Sequence, residues 1–194
     1  VITGVKSHTP TRAESVDPSD FTVDIVSNKT GEVVTSFKYA DKPAEPIELE
    51  VGNYTLNVYS GKAPDMAWET PTYGASKEFV ITRLKETSLG RIICKLSSIK
   101  ISVTYSADII DMLSEDTNVN IALDQASADF GFTEERAAYF RAPEATNQMD
   151  VTITGSYKST EAGENSSFEM TSTLTDVKPG QWRKITIIIE HASE

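Results

Sequence analysis

The sequence predicts an all-β chain folded as two tandem antiparallel β-sandwiches with at most one or two short helices. Three observations carry this. Apolar and polar residues alternate with period two in short runs from Phe21 to Ile189, the pattern of strands with one face buried. Clusters of glycine, proline, asparagine and serine separate those runs, and sustained helical spacing is nearly absent. The 194 residues leave room for two domains of about 100 residues each. An apolar content of 39% suits sheets that turn half their side chains to water.

Residues 1–20, containing His8-Thr-Pro-Thr-Arg12, read as an extended or disordered lead-in. The first sandwich is expected over 21–96. Phe21, Val23 and Ile25 share one strand face against Thr22 and Asp24. Asn28-Lys-Thr-Gly31 supplies a turn in which Gly31 takes positive φ, and Val33 to Tyr39 returns as the hairpin partner. Ile47 to Val51 and Tyr54 to Tyr59 form a second predicted hairpin around Gly52-Asn53. Ser60 to Ser76 follows neither period and reads as a long ordered loop. Strands resume at Lys77 to Thr82 and Leu89 to Leu96.

A polar join at Ser97-Ser98 then opens a second sandwich over 97–194, beginning with the strictly alternating Ile99 to Tyr105. Ile109, Ile110 and Leu113 stand at helical spacing, which predicts one short helix. Further strands are expected at Val119 to Leu123, Ala137 to Arg141, Met149 to Tyr157, Phe168 to Leu174 and Ile185 to Glu190.

Eighteen lysines and arginines against 29 aspartates and glutamates give a formal charge of −11. Phosphate backbones and anionic lipid headgroups repel such a surface, so nucleic acid is excluded as a partner. No run of 18 apolar residues predicts direct membrane insertion. The chain begins at Val1 without a methionine, as expected of a trimmed or processed chain. The single cysteine, Cys94, lies in an apolar run and is expected as a buried strand residue. The two histidines, His8 and His191, fall near the ends, so no Ser-His-Asp or Cys-His pair is expected. Phosphate-cradling, zinc and nucleophile-elbow motifs are missing. The expectation is a non-catalytic protein with no cofactor and no metal. Asp108, Asp111, Glu115, Asp116 and Asn118 could offer oxygens to calcium, but they lack glycine-centred spacing and read as a solvated helix-to-loop face.

Two surfaces remain as candidates for binding. Trp68 and Tyr73, with nearby Met66, offer an aromatic platform for a sugar ring, or loop hydrophobes folded back over the sandwich end. Ile185, Ile187 and Ile189 mark an apolar strand whose edge could add to a partner's sheet. Trp182 reads as core or inter-domain filler. The glycosylation triplets at Asn28, Asn53 and Asn165 matter only in a eukaryotic secretory route.

The runs Phe21-Thr-Val-Asp-Ile-Val, Lys29-Thr-Gly-Glu-Val-Val34, Phe37-Lys-Tyr-Ala-Asp41 and Ile47-Glu-Leu-Glu-Val-Gly-Asn-Tyr-Thr55 resemble an uncharacterised domain family of Bacteroidetes surface lipoproteins. The stretch from Trp68 to Tyr73, Lys77-Glu-Phe79, Cys94-Lys-Leu and Ile99 to Tyr105 extend the resemblance. The unit around Gly52 and Tyr54 and the closing Leu174 to Ile189 are similar to transthyretin-like and fimbrillin-like sandwich domains. The resemblance implies a lipid-anchored protein of the cell surface or outer membrane, used in adhesion or pilus-like assembly. Its implied partners are other surface or pilus proteins; in the carbohydrate-binding alternative they are host or dietary glycans. The lipid-bearing cysteine of such lipoproteins is absent, so anchoring is expected only of a longer precursor. Related pilus subunits are cleaved after an arginine to release an N-terminal strand, and Arg12 stands in a suitable stretch for this, with nothing marking it as a processing site.

Overall fold

A computed structural model describes residues 5–8, 16–143, 147–158 and 166–188. In chain order the strands are β1 (Val5–His8), β2 (Thr22–Ser27), β3 (Val33–Lys38), β4 (Gly52–Tyr59), β5 (Met66–Trp68), β6 (Tyr73–Ile81), β7 (Lys95–Leu96) and β8 (Ile99–Tyr105). A one-turn helix α1 (Ala107–Ile110) precedes β9 (Asn118–Leu123), β10 (Ala126–Gly131), β11 (Ala138–Phe140), β12 (Met149–Tyr157), β13 (Ser166–Leu174) and β14 (Trp182–Ile187). The protein is nearly all-β, as its alternation predicts. Arg12–Lys62 and Thr72–Ser97 form one compact unit; Val1–Thr11, Ala63–Pro71 and Ser98–Glu194 form the other.

The first unit is built on one sheet in the order β3-β2-β4-β6-β7. Val23 and Ile25 on β2, with Phe21 just before it, bury one side of the sheet, and Tyr54, Leu56 and Val58 bury the matching side of β4. The turn after β2 closes as expected, with Gly31 at φ 74° and its N–H donating to the Ser27 carbonyl at 2.8 Å. The predicted hairpin around Gly52 is not formed. Gly52 and Asn53 already belong to β4, whose partners are β2 and β6. Ile47 and Leu49, with Leu89, Ile92 and Cys94, instead lie half-buried over the apolar face from segments outside any strand. Period two survives there because an extended chain alternates its side chains whether or not its backbone joins a ladder. The Tyr54 hydroxyl ties one segment down, donating to the Glu50 carbonyl at 2.9 Å.

The second unit is a sandwich of two sheets, β1-β14-β8-β11-β5 and β10-β9-β12-β13. Ile99, Ile101, Val103, Phe140, Ile185 and Ile187 from the first sheet meet Val119, Ile121, Phe130, Met149, Val151 and Ile153 from the second. The expectation of purely antiparallel sheets needs one correction, because β14 runs parallel to β8. A parallel pair needs a long crossover, and the whole of β9 to β13 supplies it. The predicted helix is present but short: Ile109 and Leu113 are buried while Ile110 is exposed.

The expected domain limits also need correcting. One passage between units does fall at Ser97 and Ser98. However, β1, from the expected lead-in, and β5, from the expected long loop, are both strands of the second unit's sheet. The reason in β5 is Met66-Ala-Trp68, whose two large side chains pack on that sandwich's core.

Two buried side-chain oxygens in this unit, Tyr105 Oη and Ser106 Oγ, have no hydrogen-bond partner among the described residues. Burial pushes the pKa of the Tyr105 hydroxyl up to about 12. Because an orphaned buried hydroxyl costs free energy, Tyr105→Phe is expected to raise stability by about 1 kcal/mol at neutral pH. Below pH 10 the phenol is neutral in both folded and unfolded chains. Between 10 and about 12 the unfolded chain ionises first, so the native protein loses stability as pH rises through that window. Urea unfolding at pH 7 and pH 11 should therefore show a larger advantage for the Phe variant at the higher pH; a variant less stable than the native protein at pH 7 would refute this.

Candidate functional site

Two regions of the second unit gather the features with binding potential. The first is the β14 edge. Ile185 and Ile187 are each 1% exposed and face the sandwich interior. The sequence expectation of a free edge along Ile185 and Ile187 needs correction, because β1 occupies it, pairing Val5 with Ile185 and His8 with Trp182 in antiparallel register. Ile189 lies outside the described residues, as do Arg12, Asn165 and His191. On the opposite face of the same sheet, Lys100 Nζ lies 4.3 Å from the Trp182 ring centroid and 5.7 Å from that of Tyr139. The Trp182 indole N–H donates to Ser102 Oγ at 2.9 Å. Of the two places expected for Trp182, core or inter-domain filler, the sandwich core is not the one it takes.

The second region surrounds Trp68. Its ring meets Phe130 edge-on at 4.9 Å, and the Arg136 guanidinium lies 4.8 Å from its centroid. Arg136 is held in place by Glu134, to which Nε and Nη2 donate at 2.9 and 2.6 Å. Those bonds pull the Glu134 carboxyl down to about 2. Next in sequence, Glu69 adopts φ 49° and accepts from the Ala137 N–H through its side chain. Trp68 therefore packs inward at the sandwich edge, while Tyr73 belongs to the other unit, where it packs against that core. Beside β5 an open cleft of about 480 Å³ is lined by Asp65, Asp124, Gln125 and Arg141 among others. Asp65 and Arg141 are paired with each other.

The family model for DUF4493, a domain of unknown function, matches residues 3–194. The chain belongs to the DUF4493 family. The match runs through both units. No curated protein matches the sequence. Among solved structures, this DUF4493 chain is similar to one from Bacteroides fragilis described as a "putative cell adhesion protein", at 11% identity and a TM-score of 0.38. That similarity covers 96% of this chain and 91% of the other.

In this DUF4493 protein the acidic segment after α1 serves the fold. Asp116 accepts from the Ser156 N–H at 3.2 Å and from its hydroxyl at 2.9 and 2.8 Å, closing the loop onto β12. Asn118 and Asn120 donate to Asp129, which lowers that carboxyl's pKa. Asp108, Asp111 and Glu115 are exposed. Cys94 is half-buried rather than fully so, and burial raises its thiol pKa. Sequence reasoning missed β1 altogether. Its alternation spans only four residues, too few for a period to be read, and its partner lies at the far end of the chain.

Proposed function

We propose that this DUF4493 chain is a non-catalytic structural or adhesion subunit displayed at the cell surface, and that it joins neighbouring subunits by β-strand addition at β14. The observation that carries this reading is β1. A strand of four residues, paired on one side only among the described residues, completes a sheet whose other strands come from residues 63–71 and 98 onward. Each backbone hydrogen bond contributes about 1 kcal/mol net, so four residues of ladder hold an edge that an equivalent strand from another chain can take over. The apolar filling of the sandwich by Phe130, Phe140 and Ile153 supports a scaffold role. Anchoring by lipid belongs to the same proposal and concerns a longer precursor.

The test fixes β1 in place. Lys6 and Lys184 are opposed in the antiparallel register, where Cα atoms about 4.5–5.5 Å apart suit a disulfide. In a Cys94→Ser background, Lys6→Cys with Lys184→Cys should abolish higher assembly or surface adhesion when oxidised and restore it on reduction. Equal assembly in both redox states would exclude β14 as the joining edge.

A further inference from the structure

Edge strands expose unpaired N–H and C=O groups, and proteins blunt them by shortness, bulges, lysine, proline or inward charge. This protein does so at nearly every described edge. β5 has three residues, β7 two and β1 four. β3 faces a register shift between Ile25 and Val26 and ends in Lys38. β10 runs only six residues and ends in Gly131. The exception is β13. It spans nine residues, Ser-Ser-Phe-Glu-Met-Thr-Ser-Thr-Leu, in uninterrupted register with β12, and contains no lysine, arginine or proline. Among the described residues no strand pairs with its other side.

We propose that β13 is a self-association edge: two copies of the chain join β13 to β13, antiparallel, about a two-fold axis through Met170. The strand's own sequence selects this occupant and this register. A two-fold axis normal to the sheet keeps each face on its own side, so opposed residues must have the same parity. Full overlap of Ser166–Leu174 then centres on Met170 and sets Glu169 opposite Thr171, Phe168 opposite Ser172 and Ser167 opposite Thr173. The one charged side chain meets a threonine. A shift of the axis by one residue to Glu169 would oppose Glu169 to itself, which like-charge repulsion disfavours. Half-buried Met170 gains cover from its own counterpart and Phe168 from Ser172 and, diagonally, Met170 of the other copy, and the four-stranded sheet becomes continuous across the dimer. The charge of −11 on each copy opposes the approach and is screened by salt, so pairing strengthens as ionic strength rises.

The experiment is sedimentation of the full chain under reducing conditions, carried out with Thr171→Glu and Thr171→Lys. Thr171 is exposed on the outer face of β13, so either side chain is accommodated without disturbing the core. The native chain should dimerise reversibly, more tightly at 0.5 M than at about 0.05 M salt. Thr171→Glu sets a carboxylate opposite Glu169 of the other copy, twice per dimer, and should weaken the dimer about tenfold, whereas Thr171→Lys should match or exceed the native affinity. The same exchange at Thr82, in the other unit, corrects for net charge alone. A chain monomeric at every concentration would overturn the proposal, as would Thr171 variants that behave alike or only as the Thr82 pair does. The edge is independent of β14, so a Cys94→Ser chain with β1 locked by the oxidised Lys6→Cys and Lys184→Cys pair, sedimented without reductant, should dimerise unchanged. Loss of dimer in that locked chain would assign the association to β14 instead.

Discussion

Phe130→Ala is expected to destabilise the second unit by about 3–5 kcal/mol, the range for a large aromatic removed from a close-packed interior. Phe130 is 0% exposed on β10, between the two sheets, and its ring carries the edge contact with Trp68. Removing it opens a cavity that β10 cannot collapse into, because the strand is held to β9 by a ladder of six residue pairs. Trp68 loses its inner support at the same time. Urea unfolding should show the loss as a lower midpoint, with a red shift of tryptophan emission already present in the native baseline. Phe130→Leu, which leaves most of the volume, should cost much less. A loss below about 1.5 kcal/mol for the alanine variant would mean that the sandwich interior is not packed as described.

Gly155→Ala is expected to cost about 1–3 kcal/mol, the range for an overpacked core, against the usual gain from replacing glycine in a strand. A methyl group on Gly155 would stand 2.6 Å from Thr117 Oγ1, 2.9 Å from Thr117 Cα and 3.1 Å from Phe168 Cζ. None of these can easily yield. Thr117 is 1% exposed and donates its hydroxyl to the Ser114 carbonyl at 2.7 Å, so the loop before β9 is pinned over the glycine. Phe168 sits opposite Gly155 in the ladder and packs its ring on Tyr157 at 4.7 Å. Thermal unfolding of the single variant beside a Gly61→Ala control, whose methyl would meet nothing within 4 Å, separates the steric cost from any general effect of glycine. Equal shifts in the two would remove the close-approach explanation.

Legibility from sequence followed the physics of burial. Met149–Tyr157 was readable to the residue, because Met149, Val151 and Ile153 alternate on one buried face and the pattern loses step only at Gly155 and Ser156. Ile47 to Val51 and Leu89 to Cys94 show the limit of that signal. Their alternation reports an apolar sheet face to be covered, and it carries no information on whether the covering backbone finds a ladder partner. β10 escaped notice because Ala126 and Ala128 are weak hydrophobic markers, and Asp124-Gln125 lacks the glycine of a familiar hairpin turn, although Asp124 supplies φ 52° itself. β1 and β5 are too short to carry a period, and both are defined by partners distant in sequence. The same holds for the candidate sites. Trp68 and the isoleucines of β14 stood out by residue type, but which face they occupy depends on strand order, which no local pattern encodes.

The parallel join of β14 to β8 has a consequence for how the molecule is made. Ile99, Ile101 and Val103 leave the ribosome, or emerge from a translocation channel, long before the strand that will lie beside them. Until residues 182–187 arrive, β8 lacks the neighbour on which its own row of apolar side chains depends, and β1, the earliest strand, has nothing to pair with. Such non-local closure slows folding and leaves sticky surface exposed in the interim. The Arg12–Lys62 and Thr72–Ser97 unit has its sheet partners at hand and can form first; the sandwich must wait for its final strand, and any chaperone that attends this protein has its work set by that delay.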